Sequence, residues 1–142
     1  HMSSSVSIDA SSDRVWDLIA RASRWPEWSQ VCREVWDAPD DDDWRVGHDF
    51  GFKLRMANRN VPFNVTVSRI EPVKVIEWRS TKFTITAIRT ISVESTAGRT
   101  QVTDSKAFSS PHLPIALAYP RWLIRRMTES WLSEMKQEAE SK

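Results

Sequence analysis

The sequence predicts an α+β fold in which a curved antiparallel sheet of about seven strands wraps around one long C-terminal helix. From residue 31 to residue 108, apolar and polar side chains alternate in short runs separated by turn residues, as in half-buried antiparallel strands. From residue 123 to residue 135, apolar side chains instead recur every three or four positions, which is typical of an amphipathic helix. One further strand and two short helices are predicted ahead of these segments.

The N-terminal elements are predicted from local signals. Ser5–Asp9 alternates apolar and polar residues and predicts the first strand. Ser11, Ser12 and Asp13 offer N-cap chemistry for a helix that runs from Ser12 to about Ala22. A second short helix is predicted from Pro26 to about Gln30, because proline is favoured in the first turn of a helix.

Strand pairing follows from the requirement that the apolar residues of successive hairpins share one face. The predicted opposite pairs are Leu54 with Phe63, Val65 with Trp78, Trp78 with Ile85, Ala87 with Phe108 and Val93 with Val102. The outer face then carries mainly serine and threonine, as a solvated sheet surface does.

Composition narrows the class of protein. A chain of 142 residues fits one domain, expected over residues 3–142 because His1-Met2 resembles an expression scar. Twenty Lys and Arg nearly cancel nineteen Asp and Glu, so no field that attracts nucleic acid is expected. No apolar run reaches the roughly 18 residues of a membrane span. The single Cys32 excludes an internal disulfide and favours a reducing, cytoplasmic location.

Neither a metal nor a cofactor is expected. Apart from His1, the only histidines are His48 and His112, and no further histidine or cysteine accompanies them at zinc-ligand spacing. The three glycines are too far apart to build a phosphate-binding loop.

The high tryptophan content indicates an unusual protein interior. Eight tryptophans in 142 residues either fill an oversized core or line an apolar cavity. If a cavity exists, the predicted walls are the inner face of the sheet and the apolar stripe of the last helix. The predicted ligand-lining residues are Phe52, Leu54, Phe63, Val65, Trp78, Ile85, Ile124, Met127 and Trp131. The alternative is a filled core without a cavity.

Several segments resemble a known family. The helix containing residues 15–19, the string Arg24-Trp25-Pro26-Glu27-Trp28, the pair Val46-Gly47 and the hairpin segment at 98–102 are similar to the START/Bet v 1-like (SRPBCC) superfamily. Within it, the polyketide cyclase/dehydrase branch is the most similar. The resemblance implies a helix-grip fold with an interior cavity for apolar molecules such as lipids, polyketides or quinones. It implies no catalytic residue, since the superfamily has no universal catalytic motif.

Charged residues intrude on the predicted inner face. Continuing this face along the strands brings together Arg69, Lys74, Arg89 and Lys106. Asp104 lies diagonally from Arg89. Unpaired, these charges would be costly to bury. Either a β-bulge near residues 69–70 turns some of them outward, or they mark a cavity mouth where Arg89 and Asp104 pair and hold the polar end of a ligand.

Three further sites have weaker signals. His48 precedes a strand and titrates near neutral pH, and Tyr119 offers a hydroxyl donor near the last helix, so both join Arg89 and Asp104 as catalytic candidates. Trp122 with its neighbouring arginines is compatible with transient contact to an anionic membrane.

Three functional hypotheses remain open. A carrier would bind an apolar molecule by burial alone. An enzyme of the cyclase, aromatase or dehydratase kind would use the polar candidates to move protons or to stabilise an enolate. A regulatory module would have an incidental cavity. The sequence predicts neither the ligand nor the oligomeric state.

Overall fold

The predicted architecture is confirmed in a computed structural model, which describes residues 1–82, 85–109 and 121–141. Seven strands form one antiparallel sheet in the order β1-β7-β6-β5-β4-β3-β2. The strands are β1 (Met2–Ile8), β2 (Cys32–Trp36), β3 (Asp49–Met56), β4 (Arg59–Glu71), β5 (Val75–Lys82), β6 (Ile85–Thr96) and β7 (Arg99–Ser109). The described helices are α1 (Ser12–Ala20), α2 (Trp25–Trp28) and α3 (Arg121–Glu140), with short 3-10 turns at Ala22–Arg24 and Asp41–Asp43.

The helix α1 begins where its capping residues predict and ends two residues earlier than expected. The Ser11 hydroxyl accepts a hydrogen bond from the Arg14 backbone N–H at 3.2 Å. At the other end, the indole N–H groups of Trp25 and Trp44 donate to the carbonyls of Ile19 and Ala20 at 3.2 and 2.8 Å. These bonds satisfy carbonyls that the helix leaves unpaired, and they fix both tryptophans in the interior.

Two boundaries near the N-terminus differ from prediction. Strand β1 covers Met2–Ile8 rather than the predicted Ser5–Asp9, and Met2 is buried opposite Lys106. The second short helix covers Trp25–Trp28, so Pro26 lies in its first turn but does not open it.

The predicted hairpin registers are partly wrong, although each keeps the correct face. Phe52, rather than Leu54, lies opposite Phe63. Trp78 lies opposite Arg89 rather than Ile85, because β5 continues through Lys82 and the turn falls later than predicted. Val65 pairs with Ser80 instead of Trp78. These shifts are even numbers of residues, so the apolar side chains stay on the inner face. The β6–β7 pairs Ala87 with Phe108 and Val93 with Val102 are confirmed.

A β-bulge interrupts β4 between Val67 and Arg69, close to its predicted position. Beyond it, Ile70 lies opposite Ile76, whereas Arg69 is exposed and pairs with Glu71. The bulge therefore turns one of the four predicted inner-face charges outward.

Helix α3 packs across the concave side of the sheet and is fastened to the α2–β2 connection. The Glu134 carboxylate accepts hydrogen bonds from the Ser29 hydroxyl at 2.6 Å and from the Gln30 backbone N–H at 2.8 Å. Ser29 is itself buried and accepts from two backbone N–H groups of the same connection. This network holds the paired-tryptophan segment against α3.

An aromatic cluster occupies the space between the helices and the sheet. Trp25 lies at its centre, with ring centroids 5.7 Å from Trp78, 6.0 Å from Trp131, and 6.1 and 6.2 Å from Phe50 and Phe52. All five rings are at most 4% exposed. Much of the interior is thus filled by side chains.

Candidate functional site

Two small cavities lined by described residues lie beside the aromatic cluster. The first, about 30 Å³, lies between α3, the start of β2 and the sheet. The second, about 70 Å³, lies further along the inner face of β3 to β7. Both are walled mainly by apolar side chains, and they share five lining residues: Phe52, Leu54, Arg89, Lys106 and Met127. They are neighbouring parts of one interior space.

The sequence-predicted lining residues fall mostly around this space. Trp131 and Ile124 line the first cavity, Phe63 and Trp78 line the second, and Phe52, Leu54 and Met127 border both. Val65 and Ile85 are buried but line neither cavity. Whether any of these residues binds a ligand stays a prediction.

A cluster of ionised groups faces both cavities. Asp104, on β7, is 1% exposed and accepts hydrogen bonds from Nε of Arg89, at 3.0 and 3.1 Å, and from Nη2 of Arg89 at 2.5 Å. Lys106 Nζ donates to the same carboxylate at 3.0 Å and to the Thr128 hydroxyl of α3 at 2.6 Å. The Arg89 and Lys106 side chains are each 14% exposed. We call these four residues the charged cluster.

Two indole rings contact the Arg89 guanidinium. Its central carbon lies 4.7 Å from the ring centroid of Trp131 and 5.3 Å from that of Trp78. Such cation–π contacts stabilise a cation more strongly when water is excluded. The Arg89 head group therefore has a fixed position between the aromatic walls and Asp104.

Burial and mutual charge set the protonation of the cluster. Burial opposes ionisation of Asp104, but Arg89 and Lys106 outweigh it and hold its pKa below the usual value. Burial, together with the nearby positive charge of Arg89, lowers the pKa of Lys106 from 10.5 to about 8. Lys106 is therefore a cation at neutral pH that loses its proton in mildly alkaline solution.

Each of the two explanations for the charges on the predicted inner face applies to some of these residues. Arg69 is turned outward by the bulge, and Lys74 is exposed in the turn before β5. Arg89 and Lys106 lie opposite each other on β6 and β7 and face the interior. Asp104 pairs with Arg89, as the second explanation requires.

Of the other two catalytic candidates, only His48 lies in the described part of the chain, and its side-chain hydrogen bond is not with the charged cluster. His48 is half-buried in the loop before β3, where its Nε2 lies 2.9 Å from the Asp37 carbonyl. Tyr119 lies outside the described residues. Within the described ranges, no three His, Cys, Asp or Glu side chains come together as a metal site would require.

The predicted lining residues omitted several that border the two cavities, among them Cys32 and Thr128. Cys32 is buried, lines the first cavity, and has a pKa raised from 9.0 to about 12 by burial. Thr128 follows Ile124 by one helical turn and is 5% exposed. A polar residue inside the apolar stripe of α3 was the available signal for Thr128.

The surface at the start of α3 matches the predicted basic, aromatic patch. Trp122 is 68% exposed, and Arg121, Arg125 and Arg126 are also exposed. Contact of this patch with an anionic membrane stays a prediction. Among the described helices, none is both long enough and apolar enough to cross a bilayer.

The family is established by the sequence itself. Residues 1–140 match the family described as polyketide cyclase/dehydrase and lipid transport. The chain belongs to this family, in the polyketide cyclase/dehydrase branch of the START/Bet v 1-like superfamily, and the predicted resemblance is confirmed. A comparison with curated proteins finds no significant match.

Solved structures share the helix-grip fold at low sequence identity. An aromatase/cyclase from a Streptomyces species superposes with a TM-score of 0.80 at 15% identity, over 98% of this chain and 92% of that one. The major latex-like protein 151 of Panax ginseng gives 0.82 at 11% identity, over 98% and 96%. A START superfamily protein from Mycobacterium smegmatis gives 0.73 at 14% identity, over 99% and 97%. Family and fold together indicate a protein that binds hydrophobic ligands.

Proposed function

We propose that this protein is a carrier that binds an apolar small molecule, such as a lipid, polyketide or quinone, in its interior space. The observation that carries the proposal is a pair of adjoining cavities walled mainly by aromatic and aliphatic side chains, with Arg89 and Lys106 as the charged residues among their described lining. Binding sites for small molecules commonly combine an apolar wall with a few fixed polar groups.

Binding must enlarge the space that the structure shows. Cavities of about 30 and 70 Å³ are smaller than the roughly 150 Å³ cavity that accommodates benzene in an engineered protein. Met127 borders both cavities and is half-buried on α3. Because a methionine side chain adapts readily to irregular space, its displacement would join the two cavities into one.

A titration with octan-1-ol, followed by tryptophan fluorescence, tests the carrier proposal. Ala87 lines the larger cavity, so Ala87→Leu places three more carbons there and should weaken octanol binding at least tenfold. Thr86→Leu is the matched control. Thr86 precedes Ala87, and its hydroxyl makes an exposed hydrogen bond with Thr81, so this variant should bind octanol like the wild type. Equal octanol affinity in all three proteins, or failure of the wild type to bind either octan-1-ol or octanoate, would reject binding in this cavity.

An enzyme of the cyclase, aromatase or dehydratase kind is the second candidate. It is favoured by Lys106, which lines both cavities and whose pKa of about 8 suits general acid–base catalysis. The test is incubation with a poly-β-ketone thioester and analysis of the cyclised products. Lys106→Met should then slow cyclisation at unchanged substrate affinity. Products identical in rate and pattern with and without protein would reject the enzyme.

A further inference from the structure

We propose that the ligand of this cavity carries an anionic group, a carboxylate in the simplest case, and that Arg89 and Lys106 bind it. The inference rests on the proposed function, since it assigns the chemistry of one end of the same ligand. The charged cluster would then be a binding site for the ligand head group and not only a structural ion pair.

The charged cluster carries a net positive charge. Two cations, Arg89 and Lys106, share the single carboxylate of Asp104, which leaves one excess positive charge beside apolar walls. Among the described lining residues of both cavities, Arg89 and Lys106 are the only charged ones. An excess charge in a region of low dielectric is costly, and a monoanion placed beside it would neutralise it.

The two cations of the cluster have hydrogen-bond donors that no described residue uses. Arg89 uses Nε and Nη2 on Asp104, and its Nη1 makes no hydrogen bond to any described residue. Lys106 uses two acceptors, Asp104 and Thr128, although an ammonium group has three N–H donors. A carboxylate accepts several hydrogen bonds and donates none, so it complements these remaining donors.

A cationic ligand group does not fit the charged cluster. The Asp104 carboxylate is fully buried, and both of its oxygens already accept hydrogen bonds from cations. An ammonium ligand would therefore meet two cations and no available carboxylate. A neutral hydroxyl would fit the remaining donors but would leave the excess charge uncompensated.

The experiment compares three probes of equal chain length: octanoate, octan-1-ol and octylamine at pH 7. The wild type should bind octanoate at least tenfold more tightly than octanol, because a hydrogen bond to a charged partner stabilises more than a neutral one. Octylamine should bind most weakly. Octanoate affinity equal to or below that of octanol or octylamine would overturn the head-group assignment.

Charge-matched variants separate the cluster from simple packing. Lys106→Met leaves the Arg89–Asp104 pair intact but makes the cluster neutral, and should lower octanoate affinity at least tenfold with little change for octanol. Adding Asp104→Asn restores one excess positive charge and should restore the octanoate preference. Arg79→Met removes an exposed positive charge elsewhere on the sheet and controls for net charge.

The outcomes distinguish the two proposals. If neither octanoate nor octanol binds the wild type, both proposals fail. If octanol binds but octanoate shows no preference, or if Lys106→Met weakens octanoate no more than Arg79→Met does, the carrier proposal stands and the anionic head group is rejected. Variants that fail to restore the preference while remaining folded by circular dichroism also count against it.

Discussion

Three buried ionised residues would ordinarily be a liability in a small apolar interior. Here Asp104 holds Arg89 and Lys106 at hydrogen-bond distance, and indole rings lie against the guanidinium. Removing one partner of a buried ion pair destabilises strongly, whereas the intact pair adds little to stability. A contribution to stability alone therefore gives little reason for the cluster, which agrees with the head-group site proposed above.

The pH dependence of stability should reveal Lys106. Its pKa falls from 10.5 to about 8 on folding, because burial and Arg89 disfavour the charged amine. Between these pH values the unfolded chain holds a proton that the folded chain has released, so this group makes stability rise with pH. Urea unfolding of the wild type and of Lys106→Met from pH 8 to pH 10.5 should show this rise in the wild type relative to the variant. Parallel curves would contradict the buried position of the amine.

The Cys32 thiol should be nearly inert in the folded protein. Burial raises its pKa from 9.0 to about 12, so at pH 8 roughly one molecule in ten thousand carries a thiolate, and only the thiolate is nucleophilic. Iodoacetamide should alkylate the urea-unfolded chain at pH 8 within the time that leaves the native protein unmodified. Equal rates in the two states would show that the thiol is accessible and ionised.

At the residue scale, the sequence predicted contacts within the β6–β7 hairpin but not contacts between the sheet and α3. The neighbourhood of Arg89 and Asp104 follows from the register of β6 and β7, which a tight turn at residues 97–98 determines. The bond between Lys106 and Thr128 depends on how α3 is rotated against the sheet. Many rotations satisfy an apolar stripe, so this contact was not predictable.

At the scale of elements, the outer edge of the sheet depends on one glycine. The Trp36 ring of β2 lies across Gly51 of β3, and a Cβ at position 51 would lie 2.1 Å from a ring carbon. Gly51→Ala should therefore lower the free energy of unfolding by about 1–3 kcal/mol, as overpacking does. Urea unfolding measures the loss, and the double variant Gly51→Ala/Trp36→Leu should recover part of it. No loss in the single variant would mean that Trp36 leaves this position without cost.

Register is the element-scale property that sequence reasoning predicted least well. The apolar side chains of the predicted pairs were placed on the correct face, since one face must be apolar and even shifts preserve it, but the bulge in β4 turned Arg69 outward. The position of the β5–β6 turn was wrong because Thr81 and Lys82 resemble turn residues yet continue the strand. The β4 bulge was predictable because Ile70 breaks the alternation that Val65 and Val67 establish.

At the scale of the whole molecule, eight tryptophans predict either a filled core or a cavity, and the structure has some of each. Trp25, Trp44, Trp78 and Trp131 fill most of the concave space, while two small cavities remain beside the charged cluster. The size of these cavities depends on how the large, rigid aromatic rings pack against one another. A difference of a few atoms in this packing decides whether a ligand fits, and composition does not encode it.

The boundary between the two cavities should control which ligands bind. Met127 borders both, so Met127→Ala should merge them and shift the n-alkanol of highest affinity towards longer chains. The free energy of unfolding should fall by about 2 kcal/mol. This is the low end of the range for replacing a buried methionine by alanine, because Met127 is only half-buried. Calorimetric titration with alkanols from hexanol to dodecanol measures the shift, and Trp122→Ala, at an exposed position on the same helix, is the control. If Met127→Ala keeps the chain-length optimum of the wild type, Met127 does not separate two halves of one site, and the ligand would have to enter by rearranging the tryptophan cluster instead.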